Sequence, residues 1–451
     1  MKNQKVLVVG LGKSGIAALQ AMLKLGANVS VQDSKPMEAV DPQLLAFLEG
    51  KNVECYFGRD PQDMGAFDML ILSPGVSPDL CFVKKARDLG VEIIGELEIA
   101  YRIGKGNYAA ITGTNGKTTT TTLVGEIFKK AKRKTYVVGN IGVAVISKAL
   151  NAEEDSWMVT ETSSFQLETI RYFKPAVSAI LNLTPDHLDR HKTMENYGKA
   201  KARIFENQEE GQYLVINYDD KECFALAENC EATIVPFSRT EELDFGAFVH
   251  ESHLIIKDED GKEIQLCRTD QLIIPGAHNL ENALAAAAIS YFAGIEPEVI
   301  AQVLTTFQGV EHRMEFCGQV DGVRFVNDSK GTNPDASIKA VEAIDGGIVL
   351  IAGGYDKDAS FEALIQAFDR KVKHMVLLGK TAAKIKETAE RMGFRDSIIA
   401  KNMEECVREA FRLAEPGDTV LLSPACASWD MYTGFEQRGE HFKSCVDRLG
   451  K

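Results

Sequence analysis

Two glycine-rich loops, each preceded by a short apolar segment and followed by a helical pattern, constrain the fold of this chain more than any other feature. The first is KVLVVGLGKSG, residues 5–15, and the second is YAAITGTNGKTTTT, residues 108–121. Backbone N–H groups at the start of a helix bind phosphate, and glycine lets a ligand approach the backbone closely. The sequence therefore predicts two phosphate-binding units, each built on a strand, a loop and a helix.

Strand and helix patterns alternate along the chain, and the alternation restarts twice, near residues 95 and 310. Such alternation predicts parallel sheets covered by helices, and hence an α/β protein of three domains, 1–95, 96–309 and 310–451. The segment HLIIKDEDGKEIQL places a turn between two apolar runs, which predicts a small β-hairpin within the second domain. Ligands in such folds bind beyond the carboxyl ends of strands and between domains, so we expect a multidomain enzyme.

The composition excludes several classes of protein. The net charge of −14 argues against non-specific binding to nucleic acids or to acidic membranes. The nine cysteines form no C-x-x-C pair, which is typical of reduced thiols and not of a zinc site or a disulfide framework. The sequence contains no apolar run long enough to predict a membrane span and shows no signal peptide, so we expect a cytoplasmic location.

The second loop resembles the P-loop pattern G-x-x-x-x-G-K-[ST], although the first glycine of the pattern is replaced. Gly116, Lys117 and Thr118 fit its end. In a P-loop the backbone N–H groups meet the phosphates, the lysine reaches the terminal phosphate and the hydroxyl ligates Mg²⁺. A simple glycine turn with an exposed lysine has similar residues, but the strand before the loop and the helix after it favour the phosphate site.

The first loop contains Gly10, Gly12 and Gly15, the G-x-G-x-x-G spacing of dinucleotide-binding domains. Asp33 follows at the end of the next strand, where an acid would hold a ribose hydroxyl. Taken alone, this motif favours an NAD-dependent dehydrogenase. A tight turn that only packs a helix against a strand has the same spacing, so the motif does not decide between the two.

Polar side chains follow two further predicted strands. Glu161, in VTETSSFQLE, suits a second magnesium ligand of a P-loop site, and it also suits a charge at a helix N-terminus. Asp186, His187, Asp189 and His191, in LNLTPDHLDRH, form a histidine–acid cluster. Such a cluster at a strand end suggests metal binding or proton transfer.

Several later segments are less specific. Lys201 lies in the basic helical segment NYGKAKARIFEN and, by itself, is best interpreted as a solvated lysine. Polar residues also cluster in EHRMEF, NDSKGTNPDA, GGYDKDASF and LLSPACASWDMYTGFEQRGEHF. By composition each of these is a loop, but together they would supply cations and hydroxyls to a small anionic substrate.

The chain resembles the Mur ligases of bacterial cell-wall synthesis in a series of motifs, in order GTNGKTTT, ETSSFQLE, NLTPDHLDRH, AKARIF, HNLENALAA, EHR, NDSKGTNP and SPACASWD followed by FEQRG. The resemblance extends over essentially the full length. SSFQLE, NDSKGTN and SPACAS with FEQRG are similar to the family member that adds D-glutamate. The Asp-Asn-Pro-Arg motif of the member that adds diaminopimelate or lysine is not in the sequence.

The resemblance implies a fold and a reaction. The fold is a Rossmann-like N-terminal domain for the uridine diphosphate of a UDP-sugar, a central mononucleotide-binding P-loop ATPase domain, and a Rossmann-like C-terminal domain for the amino acid. The implied reaction joins D-glutamate to UDP-N-acetylmuramoyl-L-alanine through an acyl phosphate and releases ADP and phosphate. ATP and Mg²⁺, the latter at two sites, are the implied cofactors, and we expect a monomer.

The resemblance also implies roles for residues at matching motif positions. The implied catalytic residues are Lys117, Glu161, His187 and Lys201. The implied metal ligands are Thr118, Glu161, His187 and Lys201, the last as a carbamate, whose oxygens are the kind of ligand that Mg²⁺ prefers. The implied ATP contacts are Gly113, Thr114, Asn115, Gly116, Lys117, Thr118, Thr119, Asn140, Asn282, Arg313 and Asp328, with both asparagines at the adenine. The implied UDP-sugar contacts are Gly12, Lys13, Ser14, Asp33, Ser73 and Gly75. The implied D-glutamate contacts are Lys330, Thr332, Lys357, Ser428 and Phe435.

Three other functions can be weighed against this one. A folylpolyglutamate synthetase belongs to the same superfamily, but it lacks a domain like the one that GLGKSG begins. An NAD-dependent dehydrogenase would leave Lys117, Glu161 and His187 without a role. A non-catalytic P-loop binding module would not need the metal-type residues.

Overall fold

The computed structural model describes residues 1–356 and 359–449. Over these residues the chain forms three α/β domains, each built on its own sheet, and the sheets follow one another along the chain. This confirms the predicted fold class. Among the described helices, none is long and apolar enough to cross a membrane.

The first domain is a parallel sheet covered by helices. Its elements are β1 (Lys5–Val9), α1 (Lys13–Lys24), β2 (Asn28–Asp33), α2 (Pro42–Leu48), β3 (Glu54–Phe57), β4 (Met69–Leu72), α3 (Cys81–Asp88) and β5 (Glu92–Gly95). The strand order is β3-β2-β1-β4-β5. The order changes direction beside β1, so the glycine loop after β1 lies at the switch point where such sheets bind ligands.

Gly15 and Gly12 in this first loop are glycine for different physical reasons. A Cβ atom on Gly15 would lie 1.9 Å from the carbonyl oxygen of Gly10, so only glycine lets α1 pack this closely against the end of β1. At Gly12, by contrast, no atom of the described residues lies within 4 Å of the Cβ position. The fold therefore requires glycine at Gly15, while Gly12 leaves open space at the N-terminus of α1.

The second domain contains the P-loop. The helix α4 (Glu96–Ile103) leads into it, and its elements are β6 (Asn107–Thr112), α5 (Lys117–Lys130), β7 (Thr135–Gly139), α6 (Ile146–Ala149), β8 (Trp157–Glu161), α7 (Ser164–Leu167), β9 (Val177–Ile180), α8 (Leu188–His191), α9 (Met194–Ala202), β10 (Tyr213–Asn217), α10 (Lys221–Ala225), β11 (Thr233–Ser238), β12 (Gly246–His250), β13 (His253–Lys257), β14 (Glu263–Arg268), α11 (Ala277–Phe292) and α12 (Pro297–Leu304). The sheet order is β14-β13-β12-β11-β10-β9-β6-β8-β7. The predicted hairpin is confirmed as β13 and β14, which pair antiparallel at the edge of this sheet.

The third domain is again mainly parallel. Its elements are β15 (Glu315–Val320), β16 (Val323–Asn327), α13 (Pro334–Ala343), β17 (Ile348–Ala352), α14 (Glu362–Gln366), β18 (Val372–Leu377), α15 (Ala382–Arg391), β19 (Ser397–Ile399), α16 (Met403–Leu413), β20 (Thr419–Leu422) and α17 (Phe435–Leu449). The order is β15-β16-β20-β17-β18-β19. The strand β15, which pairs antiparallel with β16, was not predicted; its first two residues belong to EHRMEF, which was interpreted as a loop.

The first and second domains share one apolar core. Residues of β1, β2 and α1 belong to the same buried cluster as residues of β6, α6 and β8. The connecting helix α4 contributes Leu97, Ile99 and Ala100, all fully buried. Because burial of apolar area is the main favourable contribution to folding, this shared core holds the glycine loop of the first domain in a fixed position relative to the second domain.

A buried carboxylate on α4 strengthens this junction. Glu98 is fully buried, and its oxygens accept hydrogen bonds from the backbone N–H groups of residues 171–173 at 2.8–3.0 Å. Arg102 donates from Nε to Glu98 at 2.7 Å and binds both oxygens of Glu92 through its two terminal nitrogens. A buried charge is tolerated when it is paired and hydrogen-bonded in this way.

We therefore expect Glu98→Ala to lower the free energy of unfolding by about 3 kcal/mol, because Arg102 and the N–H groups of residues 171–173 would lose their buried acceptor. Urea denaturation followed by circular dichroism measures this loss. Glu126→Ala is the matched control, since Glu126 is about half exposed on α5 and pairs only with Lys129 among its described ion pairs; its expected change is under about 0.5 kcal/mol. Equal effects for the two variants would contradict the role of Glu98.

Candidate active site

The carboxyl ends of three adjacent strands define the site. The strand β6 pairs with β8 on one side and with β9 on the other. The loops that follow these strands therefore begin side by side, at the edge where parallel sheets bind ligands. They carry the P-loop after β6, Glu161 at the end of β8 and the segment from Asn182 to His187 after β9.

An asparagine that the sequence analysis missed fixes the shape of the P-loop. Asn182 Oδ1 accepts hydrogen bonds from the N–H groups of Thr114, at 3.1 Å, and Asn115, at 2.8 Å. Its Nδ2 donates to the carbonyl oxygen of Asn115 at 3.1 Å. The residue stands at the end of β9 in the motif NLTPDH, and a polar side chain directly after a buried strand was the available signal.

Two lysine side chains converge on one backbone carbonyl of the P-loop. Lys117 Nζ donates to the carbonyl oxygen of Gly113 at 2.9 Å, and Lys201 Nζ donates to the same oxygen at 2.7 Å. Lys201 is only 1% exposed and lies over the ring of Tyr197, 4.5 Å from its centre. The interpretation of Lys201 as a solvated lysine is therefore wrong.

Burial changes the acid–base chemistry of this lysine. Removal from water, and then repulsion by the neighbouring charge of Lys117, hold the pKa of Lys201 well below its ordinary value. A buried amine favours its neutral form because the charged form loses its hydration. Burial thus favours the uncharged, nucleophilic form of the Lys201 amine.

The predicted metal ligands Thr118 and Glu161 lie together. Thr118 Oγ1 donates to one carboxylate oxygen of Glu161 at 2.8 Å, and Asn140 Nδ2 donates to the other at 2.9 Å. Glu161 is 2% exposed. Asn140 thus lies beside Thr118 and Glu161, and its predicted adenine contact stays a prediction.

The histidine–acid cluster of the sequence analysis divides into two parts. Asp186 and His187 line the cavities between the second and third domains. His191 turns inward, where its Nε2 lies 2.9 Å from Ser164 Oγ and burial lowers its pKa. Asp189 is exposed. The geometry therefore places only Asp186 and His187 where substrate chemistry can take place.

The third domain contributes cations from the opposite side. Arg313 Nη1 donates to Asp328 at 3.1 Å, and Asp328, which is fully buried, also accepts from Ser423 Oγ at 2.8 Å. Burial raises the pKa of Asp328 and lowers that of Lys330. The ammonium group of Lys330 lies 4.4 Å from the centre of the Phe435 ring.

Three adjoining cavities separate the two domains. The phosphate cavity, about 300 Å³, is lined by residues 114–119, Asn140, Glu161, Asp186, His187, Arg313, Lys330, Thr332, Asn333 and Phe435. The middle cavity, about 400 Å³, is lined among others by Lys117, Ser163, Ser164, Lys201, Thr332, Ser428, Trp429 and Phe435. The outer cavity, about 470 Å³, continues past Thr332 and Asn333 to Tyr355 and Cys426.

The predicted D-glutamate contacts are distributed over these cavities. Thr332, Ser428 and Phe435 line the middle cavity, and Lys330 lines the phosphate cavity. Lys357 lies outside the described residues. The contacts of these residues with an amino acid stay predictions.

Asn282 lies behind the P-loop. Its Oδ1 accepts a hydrogen bond from Thr120 Oγ1 at 3.3 Å. If Gly116 carried a Cβ atom, that atom would lie only 2.2 Å from the same oxygen. Glycine at this position, with a φ of 82°, therefore lets the loop turn tightly over Asn282. This arrangement supports the loop from inside, and the adenine contact of Asn282 stays a prediction.

The predicted UDP-sugar contacts surround the first glycine loop. Gly12, Lys13 and Ser14 begin α1, Asp33 ends β2, and Ser73 and Gly75 follow β4. Asp33 accepts a hydrogen bond from the N–H group of Leu11 at 2.7 Å. Ser73 Oγ donates to the carbonyl oxygen of Gly10 at 2.6 Å. Asp33 and Ser73 thus shape the loop, whatever contacts they make with a ligand.

Three family models match successive parts of the chain. The model of the Mur ligase MurD-like N-terminal domain matches residues 4–95, that of the Mur ligase middle domain residues 111–290, and that of the Mur ligase glutamate ligase domain residues 312–426. Two relatives are UDP-N-acetylmuramoylalanine–D-glutamate ligases. The enzyme of Alkaliphilus oremlandii is 52% identical, and the match covers 100% of this chain and 99% of the relative. The enzyme of Caldanaerobacter subterraneus is 49% identical, and the match covers 99% of this chain and 98% of the relative.

A solved structure agrees in fold. The crystal structure of MurF ligase from Thermotoga maritima in complex with ADP superimposes with a TM-score of 0.61 at 17% identity, covering 100% of this chain and 96% of its own. The similarity at this identity concerns the fold alone, whereas the relatives at about half identity extend over the full length of both chains. The chain therefore belongs to the Mur ligase family.

Proposed function

We propose that this chain catalyses the ATP-dependent addition of D-glutamate to UDP-N-acetylmuramoyl-L-alanine, a step of bacterial peptidoglycan precursor synthesis. The observation that carries the proposal is the convergence of Lys117, Lys201 and the pair Thr118–Glu161 on cavities between two domains. Full-length relatives named for this reaction support it. The predicted monomeric state and cytoplasmic location belong to the same proposal.

The chemistry explains why a ligase needs a P-loop. A free carboxylate is a poor acylating agent, so its oxygen first attacks the terminal phosphorus of ATP, and ADP leaves. The amine nitrogen of D-glutamate then attacks the carbonyl carbon of the acyl phosphate. The tetrahedral intermediate loses phosphate, which keeps one oxygen of the original carboxylate, and the nitrogen loses a proton as the amide forms.

The residues of the P-loop have separate tasks in the first step. The N–H groups at the start of α5 and the ammonium group of Lys117 bind the phosphates of ATP. The hydroxyl of Thr118 and the carboxylate of Glu161 fit Mg²⁺, because they are hard oxygen donors already in contact with each other. When bound, Mg²⁺ would reduce the repulsion between the reacting carboxylate and the terminal phosphate. His187 lines the same cavity and is the proposed ligand of a second ion.

The buried amine of Lys201 supports the proposed carbamate. Its lowered pKa leaves the nitrogen lone pair free to attack carbon dioxide. An N–C bond forms, one C=O bond of carbon dioxide becomes a C–O⁻ bond, and the nitrogen loses a proton to water, so the product is an anionic group with two oxygens. This reaction places an anion beside Lys117, where a protonated Lys201 is disfavoured by burial and by the charge of Lys117.

The cations of the third domain suit a dicarboxylate. Lys330 and Arg313 lie on the opposite side of the phosphate cavity from the P-loop, and Thr332 and Ser428 offer hydroxyls in the middle cavity. Charge-assisted hydrogen bonds from such groups recognise carboxylates. The amino acid would therefore enter from the third domain while ATP is held by the second.

Membership of the Mur ligase family removes the dehydrogenase hypothesis. The match of residues 4–95 to a MurD-like N-terminal domain also argues against a folylpolyglutamate synthetase, which lacks such a domain. In this proposal the first glycine loop holds the uridine diphosphate part of the acceptor.

The first test is substrate choice. With ATP, Mg²⁺ and UDP-N-acetylmuramoyl-L-alanine, phosphate release should require D-glutamate and should stay at background with L-glutamate or L-lysine. The reason is that the pocket must place one amine enantiomer against the acyl phosphate. Phosphate release measured with each amino acid decides the matter, and background turnover with D-glutamate would refute the proposed function.

A second test concerns Lys201. Lys201→Ala should lower kcat by at least about 100-fold, because an anionic ligand is lost, and short carboxylic acids such as acetate should restore part of the activity. Lys199→Ala is the matched control on the same helix, since Lys199 is 69% exposed and should leave kcat unchanged. Full activity of Lys201→Ala without any added acid would remove the carbamate from the mechanism.

A third test concerns the first glycine loop. Gly12→Ala should weaken binding of the UDP-sugar roughly 5- to 150-fold, since the new methyl group enters the space open to a ligand at a cost of about 1–3 kcal/mol. ATP affinity should not change, and titration calorimetry measures both. Gly15→Ala, whose methyl group meets the carbonyl of Gly10, should instead lower stability. Equal weakening of both ligands by Gly12→Ala would contradict this role.

A further inference from the structure

Hydrogen bonds between the second and third domains lie beside the phosphate cavity, and the roles proposed above do not use them. Asp335, in the first turn of α13, accepts at one carboxylate oxygen from Asn115 Nδ2 and from Thr184 Oγ1, the latter at 3.2 Å. Asn115 belongs to the P-loop and Thr184 follows β9. One carboxylate of the third domain therefore holds two loops of the second.

The neighbouring Asn333 forms hydrogen bonds through both the oxygen and the nitrogen of its side-chain amide. Its Oδ1 caps α13 by accepting from the N–H group of Ala336 at 2.8 Å. Its Nδ2 donates to Asp186 Oδ2 at 3.2 Å and to Asn115 Oδ1 at 3.4 Å. Because the oxygen is fixed by the helix, the nitrogen is held pointing toward the second domain.

The hydrogen bonds of Asn333 and Asp335 lie next to residues that line the cavities. Asn333 directly follows Thr332 and stands three residues after Lys330, and both of these line the cavities. On the other side, Asn115 lies between the P-loop glycines. Amide formation needs the amine and the acyl phosphate in one geometry, and small errors in their placement cost much of the rate.

We propose that Asn333 and Asp335, with their partners Asn115 and Thr184, form a latch that sets the amino-acid-binding segment, residues 330–332, against the P-loop. The latch residues are positioning residues, since they contact one another and act through that segment. This inference rests on the proposed function for its kinetic part. Asp335 also pairs with Lys339 at 3.2 Å and lies in the first turn of α13, where a negative charge is favourable.

The test is a double-mutant cycle on Asp335 and Thr184. Asp335→Ala should lower kcat/KM for D-glutamate about tenfold, because two hydrogen bonds to a charged acceptor are lost, and Thr184→Val should have a smaller effect. The double variant should be no worse than Asp335→Ala, since Thr184 acts through Asp335. Asp335→Asn keeps an acceptor oxygen and should recover most of the rate.

Glu342→Ala provides the matched control, because it removes an exposed acid from the same helix and should behave as the wild type. Additive effects in the cycle, or equal losses for Glu342→Ala and Asp335→Ala, would overturn the latch. If Asp335→Ala does not fold, the cycle is run with Asp335→Leu and Thr184→Val, since leucine keeps a side chain of similar shape and removes both acceptor oxygens.

A structural readout separates this inference from the proposed function. Small-angle scattering with a non-hydrolysable ATP analogue should give a larger radius of gyration for Asp335→Ala than for the wild type and Glu342→Ala. Identical scattering of all three proteins would overturn the latch. If the wild type scatters as expected but shows no turnover with D-glutamate, the proposed function fails while the latch stands.

Discussion

The structure depends above all on one backbone oxygen, the carbonyl of Gly113, which accepts hydrogen bonds from both Lys117 and Lys201. Two ammonium groups so close together and out of water would repel each other strongly. Burial first, and then the charge of Lys117, hold the pKa of Lys201 well below its ordinary value. The site is therefore built to receive negative charge, whether as the phosphates of ATP, as a carbamate on Lys201 or as the carboxylate that reacts.

Strand pairing and hydrogen bonds between loops place Lys117 and Lys201 at this position. Parallel pairing of β6 with β8 and β9 starts three loops at one edge, and Asn182 ties the P-loop to the loop after β9. The shared core, and Arg102 bound to both Glu98 and Glu92, hold the first domain against the second. The third domain approaches the same edge with cations and is attached through Asp335. In the proposed function each domain supplies one substrate site, and the reaction takes place where the sites meet.

The parts that the sequence predicted are local in the chain. The spacing of the glycines, with a strand before and a helix after, was sufficient for the P-loop and for the first glycine loop. The burial of Lys201 was not evident, because its helix is rich in basic residues; the one hint is Tyr197, which lies four residues earlier on the same helix face. The contact of Asn115 with Asp335 joins positions 220 residues apart, and no local pattern encodes such a pairing. The strand β15 escaped prediction because its residues are all half-buried or exposed, and its sequence, EFCGQV, shows no regular alternation of apolar and polar residues.

The central claim is that the acceptor carboxylate is activated by phosphate transfer from ATP. The most direct measurement uses UDP-N-acetylmuramoyl-L-alanine labelled with ¹⁸O at both oxygens of its terminal carboxylate, with unlabelled ATP and D-glutamate. Mass spectrometry of the released phosphate should find one ¹⁸O atom in each phosphate ion, because the leaving phosphate keeps a carboxylate oxygen. Phosphate free of ¹⁸O, formed together with the amide product, would contradict the account.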